Sequence, residues 1–285
     1  MPVSALGLLV VAAFLHAGWN TLVKESGDKI TFAWLALVVS SLVGLPLLAS
    51  GPIPPRTWPY AVLSGVAEAL YYLALTRAYE RGDLSWVYPL ARGAAPPLLT
   101  LWGVFFLGET PTGLGLAGVA VVAAGIWTLG GGNLRRAGHE GILEKEGAGL
   151  WAMLAGLMIS VYSAVDKAAL AVAPVLVYLE LIFALTALFL SPVILFGPRR
   201  KALPAVVAGS WRSILLVGVA NLVTYLLVLA AFRLAPVSYA GSVRELSVVI
   251  AAILGWKWLG EPGGQRRVAS ALLIFAGIAL ITWKG

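Results

Sequence analysis

Continuous apolar runs, each about as long as a bilayer is thick, alternate along this chain with short segments of Gly, Pro and charge. A helical crossing takes about 20 residues, and windows of that size fall near 4–23, 30–49, 59–79, 84–107, 112–130, 148–169, 174–196, 211–233, 237–258 and 266–283. Ten helical crossings are expected. A transmembrane β-barrel fits poorly, because its strands alternate apolar and polar residues over about 10 positions, whereas these runs are continuously apolar. The first run has no basic flank and is long for the apolar core of a signal peptide, so it reads as a retained span. Trp58, Trp86, Trp127, Trp151, Trp211, Trp258 and Trp283 fall near span ends, where an indole prefers the headgroup level.

The pattern also repeats. Gly65-Val66-Ala67 returns as Gly218-Val219-Ala220 at an offset of 153, and Leu107-Gly108-Glu109 returns as Leu259-Gly260-Glu261 at 152. Ala124-Gly125-Ile126 matches Ala276-Gly277-Ile278, again at 152. Trp19-Asn20 and Lys24 of the first span align with Tyr162-Ser163 and Lys167 of the sixth at 143. Each copy holds five spans. The first repeat is assigned to residues 1–132 and the second to 148–285, with the hydrophilic stretch 133–147, which carries Arg135, Arg136, His139, Glu140 and Lys145, as the linker. An odd number of crossings makes the second copy enter from the opposite face. The expected fold class is therefore all-α integral membrane, ten transmembrane helices as two inverted five-helix repeats, an arrangement typical of transporters.

Composition agrees. Of 285 residues 60% are hydrophobic and 12% charged, and a mean hydropathy of +0.91 excludes an ordinary soluble enzyme. Cysteine is absent, which removes thiolate nucleophiles, disulfides and Cys-ligated metals. The net charge of +7 would suit nucleic acid, but most Lys and Arg lie in short loops, where they act as topology signals, so no nucleic-acid partner is expected. With the termini on one side, the opposite loops carry thirteen basic residues, from Lys24 to Arg267, against Arg56, Lys167, Arg233 and Lys284 on the terminal side. The richer side is cytoplasmic by the positive-inside rule. Both termini are expected outside, in a prokaryotic plasma membrane.

His16-Ala17-Gly18-Trp19-Asn20, Tyr88-Pro89-Leu90-Ala91-Arg92-Gly93 with Ala95-Pro96, and Leu107-Gly108-Glu109 form one ordered set. Val243-Arg244-Glu245-Leu246-Ser247-Val248-Val249, Leu259-Gly260-Glu261-Pro262 and Gly277 form the second. Over essentially its whole length the chain resembles the drug/metabolite transporter superfamily, specifically chains with two EamA-type domains. The resemblance implies a ten-helix inverted repeat, alternating access, and a central site lined by helices one, three, four, six, eight and nine. It also implies cytoplasmic termini, contrary to the charge count, which is retained.

A charged side chain near the bilayer centre costs at least about 2.5 kcal/mol and so needs a partner or a watery cavity. Arg92 and Arg244 lie near the middles of spans four and nine and are repeat mates at an offset of 152. Two guanidiniums approaching the pseudo-dyad suit a carboxylate or phosphate; the alternative is a structural pairing with Glu68 and Glu245. Pro89 and Pro96-Pro97 are expected to break span four beside Arg92. Glu68 and Tyr72 match Asn221 and Tyr225 at 153, and each pair is spaced i, i+4, which gives one polar wall per repeat. Glu68 is a counter-charge or a proton-coupling carboxylate, and the tyrosines serve the cavity or interhelical packing. His16, Trp19 and Asn20 form a polar stripe on span one, with Tyr162, Ser163 and Asp166 as counterparts on span six. That stripe faces the cavity or hydrogen-bonds across helices. His16 has no companion at metal-ligand spacing, so no metal is expected. Glu180 reads as an interfacial residue, Arg77 as snorkelling, and Glu109 and Glu261 as turn and helix-start residues.

The residues expected to bind substrate are Arg92, Arg244, Glu68, Asn221, Tyr72, Tyr225, His16, Trp19, Asn20, Tyr162 and Glu245. The function expected is secondary transport of a small anionic or zwitterionic solute, without a cofactor. A lipid flippase is the main alternative, since eleven Trp and a cationic pair could serve a phospholipid. A passive channel or membrane scaffold would also suit an apolar helical chain. An intramembrane enzyme is disfavoured, because no nucleophile elbow, His-Glu-x-x-His, P-loop or paired-aspartate motif occurs.

Overall fold

The computed structural model describes residues 1–81, 84–130, 147–250, 253 and 264–284. Among them no strand occurs, and the helices are α1 (Val3–Glu25), α2 (Lys29–Gly44), α3 (Thr57–Arg81), α4 (Leu84–Leu107), α5 (Gly113–Gly130), α6 (Ala148–Ala169), α7 (Val175–Leu195), α8 (Leu203–Leu234), α9 (Val237–Arg244) and α10 (Gly264–Lys284). Short 3₁₀ segments, Leu45–Ser50 and Pro198–Ala202, extend α2 and precede α8. Six of the described helical stretches are long and apolar enough to cross a membrane, and two shorter apolar helices, Gly113–Thr128 and Val268–Trp283, accompany them. The chain is an integral, multi-pass membrane protein. The linker residues 131–146, most of span nine beyond Ile250, and the side chains of Lys24 and Trp86 lie outside the described set, as do Leu259-Gly260-Glu261-Pro262.

Local signals mark two of the helix ends. Asp28 caps α2, accepting from the Thr31 backbone N–H at 3.2 Å and from its hydroxyl at 2.7 Å. Gly108 leaves α4 with φ +67, a left-handed conformation that glycine adopts without a Cβ penalty.

Three sequence expectations need correction. First, α8 starts at Leu203 rather than near 211, because Pro204 is accommodated in the first turn, where its missing N–H is harmless. Second, α4 does not break at its prolines: Pro89, Pro96 and Pro97 all lie inside one helix. The neighbouring α6 closes in at that level through Gly156, where a Cβ would sit 2.6 Å from the Ala91 carbonyl, so α4 runs on within a packed bundle. Third, the interruption falls in the ninth span. Glu245 forms a turn between α9 and the helical residues from 246 onward. The backbone tightens there through Glu245 N–H to Ser242 O (3.2 Å) and Val248 N–H to Glu245 O (2.9 Å), spacings typical of 3₁₀ rather than α structure.

Packing interlocks the two repeats. Helices α1 and α2 pack chiefly on α8 of the second repeat, while α6 and α7 pack on α3 of the first. One bundle thus gathers α1, α2 and α8, the other α3, α4, α6 and α7; α9 packs on α4 and α1 between them, and α5 lies against α10. Buried polar bonds lock these contacts. The Ser40 hydroxyl donates to Gly218 O (2.8 Å), tying α2 to α8, and the Trp34 indole donates to Ala187 O (3.0 Å), tying α2 to α7. Gly118 and Gly277 let α5 and α10 approach closely, since a Cβ on either would meet the other's carbonyl at 2.7 Å.

The connections sort into two ends. At one, Arg199 reaches Glu80 at 3.1 Å and Asp28 at 3.7 Å. At the other, the Glu109 carboxylate accepts from the Val237 and Ser238 backbone N–H groups and from the Ser238 hydroxyl (2.7 Å), capping α9. Near it, Lys167 donates to the carbonyls of Phe232 and Ala235 where α8 ends. Alternate connections therefore meet at opposite ends, as an up-and-down helical chain requires.

Candidate functional site

Between the two bundles lies a cavity of about 40 Å³, lined by α1, α3, α4, α6, α8 and α9. Those are the six helices that the family resemblance implied. His16 and Trp19 enter from α1, Glu68 and Tyr72 from α3, Arg92 from α4, Tyr162 from α6, Asn221 and Tyr225 from α8, and Arg244 from α9. Nine of the eleven expected residues thus share one wall. At that volume the hollow has room for a few waters and is too small for a metabolite. Among the described residues no group of three His, Asp or Glu side chains could hold a metal.

The two arginines are held differently. Arg92 is 2% exposed and its Nε lies 2.8 Å from the Glu245 carboxylate. That contact is poorly aligned for a hydrogen bond, and Arg92 Nη2 has no partner. Arg244 makes no ion pair among the described residues. It donates to the Tyr162 hydroxyl at 2.8 Å and more weakly to Ser163 at 3.5 Å, and its guanidinium lies 5.8 Å from the ring centres of both Tyr162 and Tyr225. Aromatic faces attract a cation without giving it a direct carboxylate partner. The Trp19 indole N–H, on the same wall, is also unpartnered. Unpaired buried donors around a hollow fit a ligand bearing oxygen acceptors.

The EamA-like transporter model matches residues 3–131 and again 147–283. The chain belongs to that EamA-like transporter family. It is 31% identical over 128 residues to an uncharacterized transporter in the cobO 3′ region of a Sinorhizobium species, a match covering 44% of this chain and 90% of that protein. That relative is scarcely longer than one matched stretch. A crystal structure of a protein, 22% identical, superposes with a TM-score of 0.77 over 99% of this chain and 98% of its own, which supports the fold.

Two expected residues of this EamA-type transporter stand behind the cavity wall. Asn20 donates to the Tyr88 hydroxyl of α4 at 3.2 Å, and Glu245 neutralises Arg92. Glu68 lines the hollow and accepts from the Thr186 hydroxyl of α7 at 2.8 Å. It pairs with neither arginine. Asp166, which the sequence places in the polar stripe of span six, is central in the structure. Fully buried, it accepts from Ser64 (2.5 Å), Tyr178 (2.7 Å) and Tyr225, so it joins α3, α6, α7 and α8 directly behind the cavity. Tyr71 and Thr224 complete the wall and were not anticipated; Thr224 lies one residue before Tyr225 and three beyond Asn221, a spacing that could have flagged it. The interfacial assignment of Glu180 fails, since its side chain is covered by neighbouring helices and 1% exposed.

Proposed function

We propose that this transporter is a secondary carrier of a small anionic or zwitterionic metabolite, spanning the membrane ten times as two inverted repeats and working by alternating access. The observation that carries the reading is Arg244, a buried cation facing the hollow that is hydrogen-bonded to the Tyr162 and Ser163 hydroxyls, lies over the Tyr162 and Tyr225 rings, and makes no direct ion pair among the described residues. A buried charge without a directly paired counter-ion is costly. A carboxylate or phosphate between Arg244 and the free Nη2 of Arg92 supplies what is missing, with charge-assisted bonds from both repeats. Glu68 on the same wall offers an acceptor for an ammonium, which extends the reading to zwitterions. No nucleotide-binding motif occurs, so the drive comes from a solute or ion gradient.

The interlocked packing supports a particular motion. The bodies that rock are the two mixed bundles rather than the two halves of the sequence. The Arg199 cluster and the Glu109 cap, at opposite ends, are then the closures that part in turn.

The test is a thermal-shift screen of purified protein against amino acids, organic acids, and phosphorylated and phosphonate metabolites. A ligand that binds only the folded state at 100 Kd stabilises by about 2.7 kcal/mol. A hit is expected among anions or zwitterions and should vanish in Arg244→Ala. Uptake into proteoliposomes that is as fast with Arg92→Ala and Arg244→Ala as with the wild type would overturn the site assignment. Reporter fusions at both ends are expected to place the termini outside.

A further inference from the structure

Glu180 is a buried acid that the cavity does not use. It is 1% exposed, and neither carboxylate oxygen has a hydrogen-bond partner. Its side chain lies against Gly44, where α2 ends, and beside Leu222 of α8. Any side chain at position 44 would displace it. The hydroxyl of Ser41, one turn before Gly44 on α2, is also buried without a partner.

Among the described residues no cation is in reach. The only charged residue of α2, Lys29, lies at its other end, and residues 45–50 carry none. On α8, Arg233 donates to Leu170 O, Arg212 lies over Trp211, and Tyr225 is bound to Asp166. On α3, Glu68 takes the Thr186 hydroxyl, Arg77 pairs with Glu80, Arg81 lies over Trp151, and Arg56, just before the helix, and Tyr60 make no bond to Glu180. Tyr178, on α7 itself, is committed to Asp166, and Arg199 to Asp28 and Glu80. Arg200 and Lys201, beside Arg199, follow the far end of α7.

An ionised carboxylate in such a seam forfeits its hydration with nothing in return, a penalty of several kcal/mol that the neutral acid largely avoids. Its two walls belong to different bundles, α2 to one and α7 to the other. Parting the bundles at this end, where α7 begins, admits water. We propose that Glu180 is a proton-binding site on the seam between the bundles, loaded when α2 closes on α7 and emptied when they part. The inference rests on the rocking-carrier reading. A ligand that binds one conformation shifts the balance toward it, so proton uptake here drives closure of the end that holds the Glu109 cap.

The chain lacks cysteine, so Ala13→Cys puts a unique thiol on the cavity wall. Labelling by a membrane-impermeant maleimide is compared, with Glu180 present and with Glu180→Gln, in right-side-out and inside-out vesicles from about pH 6 to about pH 9. The ratio of the two rates cancels the reagent's own pH dependence. The ratio at the Glu109 end is expected near one in acid and to rise several-fold in base, whatever the sodium concentration. A ratio that stays flat, or follows sodium instead of pH, overturns the inference and leaves the carrier reading standing. Labelling from one face alone under all conditions overturns both. If Glu180→Gln does not elute as folded protein, Glu180→Met, which fills the same apolar seam, replaces it with the same expected outcomes.

Discussion

Arg92 of the first repeat and Glu245 of the second meet at 2.8 Å, both almost fully buried. The residue before that glutamate, Arg244, is the cation left facing the cavity. The turn at Glu245 makes this possible, because it lets consecutive side chains serve two purposes: one neutralises the opposite repeat's arginine, and the other remains available.

Breaking the pair from either side should cost about 3–5 kcal/mol, because each single change strands a buried charge. Arg92→Ala and Glu245→Ala are both expected to unfold early in a thermal melt in detergent. The double variant should recover most of that loss without regaining ligand binding. Additive losses in the double-mutant cycle would show that the contact is not a working ion pair.

Arg244→Ala should behave differently. Removing a cation that has no carboxylate partner is expected to leave the melting temperature nearly unchanged while weakening an anionic ligand about 10- to 100-fold. Arg244→Lys keeps the charge but loses the planar fork and its stacking between Tyr162 and Tyr225, so its affinity should be intermediate. Isothermal titration with the ligand found by thermal shift checks both.

Glu109→Ala strips the cap from α9 and should cost about 1–2 kcal/mol. Since α9 carries Arg244, the variant is also expected to bind the ligand more weakly although residue 109 lies outside the hollow. Glu109→Gln, which keeps one acceptor oxygen, should lose less of both. Wild-type affinity in Glu109→Ala would separate the cap from the site.

Asp166→Ala leaves three buried hydroxyls without an acceptor, at about 1–3 kcal/mol each. It is expected to be less stable than Tyr178→Phe or Ser64→Ala, which each remove one donor, and less stable than Asp166→Asn, which retains an oxygen. Denaturation of the four variants in the same detergent gives the order. Equal stability of Asp166→Ala and Tyr178→Phe would contradict the network.

Long apolar helices were legible because a bilayer demands such runs, and the meeting of Arg92 and Arg244 on one cavity was legible because the repeat carried both to the same register. Other features had no signature along the chain. Val243 to Ile250 reads as uninterrupted helix, and the residue at the turn within it, Glu245, pairs with a residue some 150 positions earlier. Asp166 draws its donors from α3, α7 and α8, so its neighbourhood exists only after folding. Glu180 was misplaced because depth inferred from position along a span does not reveal that Gly44 lets another helix close over it. Apolar periodicity shows that α1 and α2 need partners without showing that α8 is the partner.

That exchange of helices bears on how the protein is made. Ser40 finds its acceptor on Gly218, 178 residues further along, so the first two helices enter the bilayer well before the surface they rest on has been translated. They must wait there, with the Trp34 indole N–H unsatisfied or shielded by an insertion factor until Ala187 and Ser191 arrive, while the Ser40 hydroxyl can turn to Ala36 O of its own helix. Neither half can mature alone, and two fragments cut at the linker should yield working protein only when they are synthesised together.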